Sequence, residues 1–402
     1  MDEQPWDASG GLAWLLAPLG VSTFLAGSLG RAPLVLPRGE SGYYSGLLSL
    51  PDVELLIYTL ADPANRRWFQ VVKDGQTLPM RAPLVDDNGD LVPAAVVTLY
   101  QQGCTVVVNQ LQRRWAPIRA LANALDASFS RATGTVLRGP ITANAYLTPP
   151  GAQGFSPHFD DHDVFVLQLA GQKRWSIYAR REEFPSAGES RISREELGKP
   201  PVSASIAAGD LIYIPRGCPH EAAAQSDFSL HLTLGVRTLA WVDLITALAR
   251  ADPESQRPLT YDPSDPAGAS LAAAEVIQGL ARQYDGAAVA NALGHLRAVH
   301  ARSLPPIAGY HFDAVNRQRR LSEATMLRVT PDAQIEQHGE FVTLLFPGNA
   351  VTYPRRAEGA LRFMIATGRF LCGAIPDLRD DAERLALVTR LIADGFIQSE
   401  PS

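Results

Sequence analysis

The chain has 402 residues, enough for two or three domains of about 150 residues, each able to bury a real core. With 46% apolar and 19% charged residues it is neither a disordered tail nor a charged coil, and 32 Gly with 30 Pro imply many turns and a substantial β portion. The net charge of −6 offers no general basic face, so direct nucleic-acid binding is not expected.

No apolar stretch reaches the roughly 18 residues that span a bilayer. The opening Met-Asp-Glu carries no basic segment ahead of an apolar run. The sequence therefore predicts a soluble, cytoplasmic protein with no membrane partner. Cys104, Cys218 and Cys372 are far apart with no C-x-x-C, which argues against a disulfide framework or a zinc ribbon.

In chain order, residues 12–19 read as a short amphipathic helix and 32–38 as an extended piece. Apolar runs at 53–60, 68–72, 96–99 and 105–108 read as strands, with turns at 73–76 and at Asn88-Gly89, a strong hairpin cue. Residues 115–128 are periodic at three and four and predict a helix. A second β cluster follows, with strands near 143–148, 163–170, 173–179, 204–207, 211–214 and 229–236. So many short strands with Gly/Pro turns suit a sandwich or barrel better than a βαβ fold. Beyond 240 the character changes. Helices are expected at 241–251 and 270–302, a break at Pro305-Pro306, and then a mixed segment with helices at 320–327 and 380–394 and strands at 341–346 and 350–353. That last pattern fits a small winged-helix-like module.

The histidines concentrate chemistry at one place. His158-Phe159-Asp160 precedes an apolar strand, and alternate residues of an extended segment face one way, so His158 and Asp160 converge. One imidazole and one carboxylate are two legs of a two-His-one-carboxylate facial triad, which leaves coordination positions open on Fe(II). The third leg must come from another strand. His220 fits, because a strand runs into the Pro/Gly turn that precedes it. H-x-D alone is a cheap motif: His311-Phe312-Asp313 repeats it at what reads as a polar helix edge, where a surface role is the expectation. From the residues alone, a metal site and a structural strand end both stay open for the first copy. Lys173 adds a cation fifteen positions after His158, suited to the far carboxylate of a 2-oxo diacid. It is one of only three lysines, the others being Lys73 and Lys199. A solvated hairpin residue is the alternative for it.

These residues carry a family resemblance. The segment NAYLTPPGAQGFSPHFDDHDVFVLQLAGQKRW over 144–175 closely resembles the JmjC-type ribosomal oxygenases, protein hydroxylases of the cupin superfamily that use Fe(II) and 2-oxoglutarate. GDLIYIPRGCPH over 209–220, HLT over 231–233, LLAP over 15–18, APLV over 32–35 and GCTVVVNQ over 103–110 match as well. The similarity covers roughly 10–240. It implies a mainly β fold with helices: a double-stranded β-helix (jelly-roll, cupin) oxygenase domain over 1–240, a helical dimerisation region over 241–306 and a winged-helix-like domain over 307–402. It implies that His158, Asp160 and His220 bind iron, that Lys173 holds 2-oxoglutarate, and that Asn144 and Thr233 line the cosubstrate pocket, with dioxygen as the co-oxidant. The implied partner is a ribosomal protein, hydroxylated on an arginyl or histidyl side chain by a homodimeric enzyme.

The chain departs from the family at Ser28-Leu-Gly30 and at Glu221, which follows His220 where Gln is usual. Neither departure touches a ligand; both bear on substrate identity. Two other readings of the resemblance remain: the same chemistry on a peptide natural product or its precursor, and a non-catalytic metal-binding cupin. Histone demethylation ranks last, since no chromatin reader or basic tail is present. His162 and His231 are expected to support the site or pack beside it, Cys218 to be a bystander, and the arginines at 317–320 to form a solvated helix face.

Overall fold

Two short helices, α1 (Gly11–Leu16) and α2 (Val21–Gly27), and the strand β1 (Leu34–Leu36) occupy the segment read as a helix and an extended piece. The computed structural model describes residues 10–400 apart from 82, 135, 186–189, 259–261, 263, 283 and 308–310, so the N-terminal residues read for a signal segment lie outside the described part. The chain divides into one unit of Met1–Gly134 with Pro140–Arg237 and another of Thr135–Gly139 with Thr238–Ser402.

Two expected strands are helices. Residues 53–60 belong to α3 (Leu50–Thr59), which Ser49 and Asp52 start with a reciprocal capping box. Val53, Leu56, Ile57 and Leu60 are its buried residues and next neighbour, at helical rather than alternating spacing. Residues 96–99 lie within α4 (Pro93–Gln101), which begins with a proline in the first turn. Between these helices, β2 (Phe69–Lys73) and β3 (Gln76–Thr77) form the expected hairpin at 73–76, with Asp74 and Gly75 both at positive φ. Asn88-Gly89 makes a turn too, but its arms pair only at Val85 and Leu91. The strand β4 (Thr105–Val108) and the long α5 (Ala116–Thr133) follow as read.

The rest of the first unit is β5 (Thr142–Thr148), β6 (His158–Phe159), β7 (Asp163–Ile177), β8 (Ser190–Arg191), β9 (Val202–Ala207), β10 (Leu211–Ile214) and β11 (His220–Val236). All join one eleven-stranded antiparallel sheet ordered β1-β10-β7-β11-β5-β4-β2-β3, with β6, β8 and β9 added at its side. A sheet of this kind is consistent with a cupin jelly-roll. The strands expected at 163–170 and 173–179 are a single strand, β7. Gly171, at φ 64, bends it where a Cβ would collide with the Phe228 carbonyl, instead of turning it back. The first half of β7 therefore pairs with β10 and the second half with β9, while β11 lies along both halves. Val164, Val166, Trp175, Ile177, Ile206, Ile212 and Ile214 form a buried core cluster between them.

The second unit contains α6 (Trp241–Ala251), α7 (Pro266–Arg282), α8 (Gly286–Ser303), α9 (His311–Arg317), β12 (Met326–Val329), β13 (Gln334–His338), β14 (Phe341–Phe346), β15 (Asn349–Pro354), α10 (Glu358–Thr367), β16 (Arg369–Leu371), α11 (Asp381–Ala393) and β17 (Ile397–Ser399). The helix expected at 320–327 is absent. α9 ends at Arg317, a single tight turn follows, and Met326–Val329 becomes the central strand of a three-stranded sheet, flanked by β16 and β17. A second three-stranded sheet has the order β13-β14-β15, and Val342, Leu361, Met364, Leu391 and Phe396 are among its unit's core. No helix among the described residues is long and apolar enough to cross a membrane.

Candidate metal centre

Backbone pairing places the two histidines of the expected triad. His158 on β6 lies directly opposite His220, the first residue of β11, and their rings are 4.5 Å apart. Asp160 follows just after β6 ends, so it reaches the site from a loop rather than from a regular strand. A backbone clamp fixes that loop: the Gly217 N–H donates to the Asp160 carbonyl at 2.9 Å, tying the approach to His220 to the residue beside His158. One ligand atom from each of His158, Asp160 and His220 lies within 4.8 Å of the others.

The ring nitrogens are set by their neighbours. Nδ1 of His158 is 2.9 Å from the Ser156 carbonyl, and Nδ1 of His220 is 3.0 Å from the Cys218 carbonyl. A carbonyl only accepts, so each Nδ1 carries the proton and each Nε2 presents its lone pair. Nε2 of His220 is 3.7 Å from the Asp160 carboxylate. Burial, with His158 beside it, pushes the His220 pKa down to about 4, so this imidazole is neutral at neutral pH. Two neutral imidazole nitrogens and a carboxylate are the donor set of a facial-triad iron site. Cys218 serves through its carbonyl; its thiol is buried in the core cluster.

The cluster opens into a cavity of about 350 Å³, whose lining includes Asn144, Tyr146, Lys173, Trp175, His231 and Thr233. Lys173 is no hairpin residue: it sits on the second half of β7 and is 3% exposed. Its ammonium donates to Thr148 Oγ1 at 3.0 Å, and Thr148 in turn bonds Thr105. No carboxylate among the described residues pairs with it. Burial pushes the Lys173 pKa down to about 7. His231 stacks on Tyr146, its partner across the strand pair, at 4.8 Å and 4°. Burial first, and then Lys173, hold His231 well below its usual pKa. Nδ1 of His231 and Nε1 of Trp175 are buried without a hydrogen-bond partner. A buried unpaired cation beside two orphaned ring nitrogens is a wall prepared for an anion.

Asn144 and Thr233 face each other across β5 and β11. Asn144 Oδ1 accepts from the Gln110 N–H at 3.0 Å, holding Gln110 in a left-handed conformation. Thr233 Oγ1 donates to the Asn144 carbonyl at 3.4 Å. His162 lines the same cavity outside the triad, with Nδ1 2.7 Å from Asp161 and its Nε2 edge where a Cβ on Gly235 would lie. Glu221, the departure beside His220, accepts from the Tyr178 hydroxyl at 2.7 Å and from Arg194 and Gln153 at 3.0 Å. Burial raises its pKa, but the bonds from Tyr178 and Arg194 outweigh that and leave it below the usual value. Sequence reading missed Tyr146, Thr148 and Trp175. Their signal was alternation, since Asn144, Tyr146 and Thr148, like Lys173 and Trp175, are two apart on a strand.

Comparison with known proteins agrees with this geometry. The JmjC domain family matches residues 122–244. The chain is 34% identical over 243 residues to ribosomal oxygenase 1 of Gallus gallus, covering 59% of this chain and 38% of that protein. It is 36% identical over 225 residues to the bifunctional lysine-specific demethylase and histidyl-hydroxylase NO66 of Drosophila persimilis, covering 56% and 31%. The chain thus spans less than two fifths of these relatives. In fold it is similar to Escherichia coli YcfD, with a TM-score of 0.56 at 16% identity over 95% of this chain and 99% of that one. Another YcfD structure, a ribosomal oxygenase in complex with cobalt and 2-oxoglutarate, aligns at 16% identity with a TM-score of 0.53, covering 96% of this chain and 99% of that one. Residues 122–244 match the JmjC domain family, and over this part the chain is similar to JmjC-type ribosomal oxygenases.

Proposed function

We propose that this chain is an Fe(II)- and 2-oxoglutarate-dependent oxygenase that hydroxylates an arginyl or histidyl side chain of a ribosomal protein in the cytoplasm. The observation that carries the reading is Lys173: a buried ammonium with a hydroxyl but no carboxylate for a partner, in the same cavity as His158, Asp160 and His220. A metal-binding module with no cosubstrate has no use for it, because an unpaired buried charge is costly. Fe(II) would be held by Nε2 of His158, Nε2 of His220 and the Asp160 carboxylate, and with 2-oxoglutarate and dioxygen it supplies oxidative decarboxylation to succinate and CO2 coupled to hydroxylation of a C–H bond.

The protein's own residues bind, orient and exclude water. Lys173 Nζ takes the far carboxylate of 2-oxoglutarate, with Thr148 fixing the ammonium. The ring nitrogens of His231 and Trp175 offer that anion further polar contacts in a wall closed to solvent. The carbonyls of Ser156 and Cys218 keep both ligand histidines in the tautomer that binds metal. Asn144 and Thr233 hold the opposite wall and the Gln110 turn in place.

The names of the relatives support a ribosomal protein as substrate, NO66 being a histidyl-hydroxylase. The test is intact-mass spectrometry of ribosomal proteins from cells with the native chain and with His158→Ala. One ribosomal protein heavier by a single oxygen only with the native chain is the expected result. Succinate formation with no such shift would move the substrate to another peptide. Residues 241–306 are assigned to dimerisation and 307–402 to a winged-helix-like module. Trp241, Val242, Leu271 and Ile277 leave large apolar side chains exposed on the helical segment. Sedimentation should show a dimer, and a monomer at micromolar concentration would remove that assignment.

A further inference from the structure

The strands at one side of the cavity lead into a second charged feature. Arg66–Trp68 immediately precede β2, and the turn from Asn109 to Arg114 follows β4. Phe69 pairs with Val108, and the Asn109 N–H donates to the Trp68 carbonyl at 2.7 Å, so the two turns lie side by side. The guanidinium carbons of Arg67 and Arg114 are 4.8 and 4.5 Å from the centre of the Trp68 ring. Burial, and then repulsion from Arg67 and Arg113, hold the Arg114 pKa below its usual value.

Arg66 is taken by the Gly89 carbonyl and Arg119 by those of Gln112 and Arg113. Among the described residues no carboxylate forms an ion pair with Arg67, Arg113 or Arg114, although arginines such as Arg181, Arg237, Arg317 and Arg369 have theirs. Nε of Arg114 and Nε1 of Trp68 are buried with no partner. In a chain of net charge −6, two guanidinium groups share one ring with Arg113 repelling Arg114 from beside it, and Asp62 acts on Arg114 without forming an ion pair, so the group suits an external anion.

The feature is fixed to the rim of the cavity. Gln70, two residues after Trp68, and Asn109, whose N–H bonds the Trp68 carbonyl, both line it. The turn that carries Arg113 and Arg114 is bolted to the cavity wall, through Gln110 N–H on Asn144 and Gln112 Oε1 on the Ala143 N–H. We propose that Arg67 and Arg114 over Trp68, with Arg113 beside Arg114, form a docking site for the acidic flank of the polypeptide whose target side chain enters the cavity. The substrate then carries Asp or Glu within a few residues of the hydroxylated one. This inference rests on the reading of the cavity as an oxygenase site for a protein side chain.

A polypeptide fits better than a nucleic acid. A flank already tethered by its neighbour in the cavity binds at an effective concentration in the millimolar range, so few charge contacts suffice. A free nucleic acid held by so few phosphate contacts would bind weakly at physiological salt. Guanidinium groups held over an indole still offer their terminal N–H groups for paired hydrogen bonds to carboxylates.

The test uses the full chain loaded with Mn(II) and 2-oxoglutarate, and fluorescence anisotropy of two labelled peptides. Both have a central Arg; one flank carries Glu in the first and Gln in the second. The Glu peptide should bind about tenfold tighter, with the gap closing as salt rises. It should also close in Arg67→Gln/Arg113→Gln/Arg114→Gln and return only in part in Arg67→Lys/Arg113→Lys/Arg114→Lys, which keep the charge but not the paired N–H edge, each variant checked for folding by its melting temperature. Equal binding of the two peptides by the native chain, or a gap that survives the Gln substitutions, overturns the proposal. So does a labelled oligouridylate that binds tighter than the Glu peptide and is lost in the Gln variant, which would make the patch a nucleic-acid site. The same chain loaded with Fe(II) in place of Mn(II) is assayed in air for succinate: no 2-oxoglutarate turnover tells against the oxygenase reading, whatever the peptides do.

Discussion

The chain contains the tripeptide His-Phe-Asp twice, and its two copies have almost nothing in common. At His158-Phe159-Asp160 the phenylalanine is 8% exposed, Nδ1 of the histidine is fixed by a carbonyl, and the carboxylate faces a second histidine from another strand. At His311-Phe312-Asp313 the phenylalanine is 88% exposed. There the histidine uses its Nε2 on the Ala393 carbonyl, and the carboxylate pairs with Arg317 one turn along the same helix. A helix sets neighbouring side chains about 100° apart and supplies its own cation at i+4. A short strand end against a long strand brings in a partner from 60 residues away. The tripeptide is the same; the second histidine beside it and the spared nitrogen make the difference.

The largest predicted effects break this comparison outright. His158→Ala, Asp160→Ala or His220→Ala should abolish stoichiometric Co(II) or Fe(II) binding and succinate formation, a loss beyond the roughly 10–100-fold that outer partners are worth. His311→Ala should leave both unchanged and cost only its hydrogen bond to Ala393, about 1 kcal/mol in denaturant unfolding. Equal losses at both sites would mean that neither copy is a ligand.

Next in size is Lys173→Met, for which two effects of opposite sign are expected. The 2-oxoglutarate affinity should fall by about 100-fold, since a charge-assisted contact is lost. The free protein should become more stable, by about 1–4 kcal/mol, because an unpaired buried charge is removed. The pH dependence has a defined direction. The Lys173 pKa is depressed from 10.5 to about 7 in the folded chain, so between those values the unfolded chain binds more protons and native stability rises with pH. Lys173→Met should lose that rise. For the same reason, binding of 2-oxoglutarate above pH 7 must recharge the amine. Calorimetry in buffers of different ionisation enthalpy should show proton uptake, with affinity falling as pH increases. Binding without proton uptake at pH 8 would show that the anion does not meet Lys173.

These outcomes bear on how much a sequence discloses. The triad was legible because H-x-D before an apolar strand, with a Pro/Gly turn ahead of a distal histidine, is a local pattern with a chemical meaning. Lys173 was legible as a half-buried cation, but not its near-complete burial, which depends on β7 continuing past Gly171 instead of turning. The helices at 50–59 and 93–101 were misread because aliphatic runs suit both periods; the capping box at Ser49 and the proline at 93 were the deciding signals. Tyr146, Thr148 and Trp175 gained their roles from cross-strand register, which no short window contains.

A smaller effect is expected at Gly217, which joins the two halves of the triad. Its φ of 74 and the Glu182 carbonyl beside it leave no room for a Cβ. Gly217→Ala should cost about 1–3 kcal/mol in unfolding free energy and loosen the N–H bond to the Asp160 carbonyl. Metal affinity should weaken more than 2-oxoglutarate affinity, measured in the metal-loaded protein, because Lys173 stands on a different strand. Equal weakening of both would make the turn a general fold element instead of a clamp on the ligands.

The smallest predicted effect concerns Glu221, whose position beside His220 invites a catalytic reading that its contacts do not favour. Three donors already occupy it, and its cation, Arg194, has a side chain that is 62% exposed. Such a pair is worth about 0–1 kcal/mol, so Glu221→Gln should change succinate formation by less than about threefold. Arg194→Ala should do the same, and the double substitution should show coupling of the same small size. A tenfold loss in Glu221→Gln that Arg194→Ala does not share would place the carboxylate's field on His220 itself. The first His-Phe-Asp copy would then differ from the second by a further charge, and not only by a third ligand.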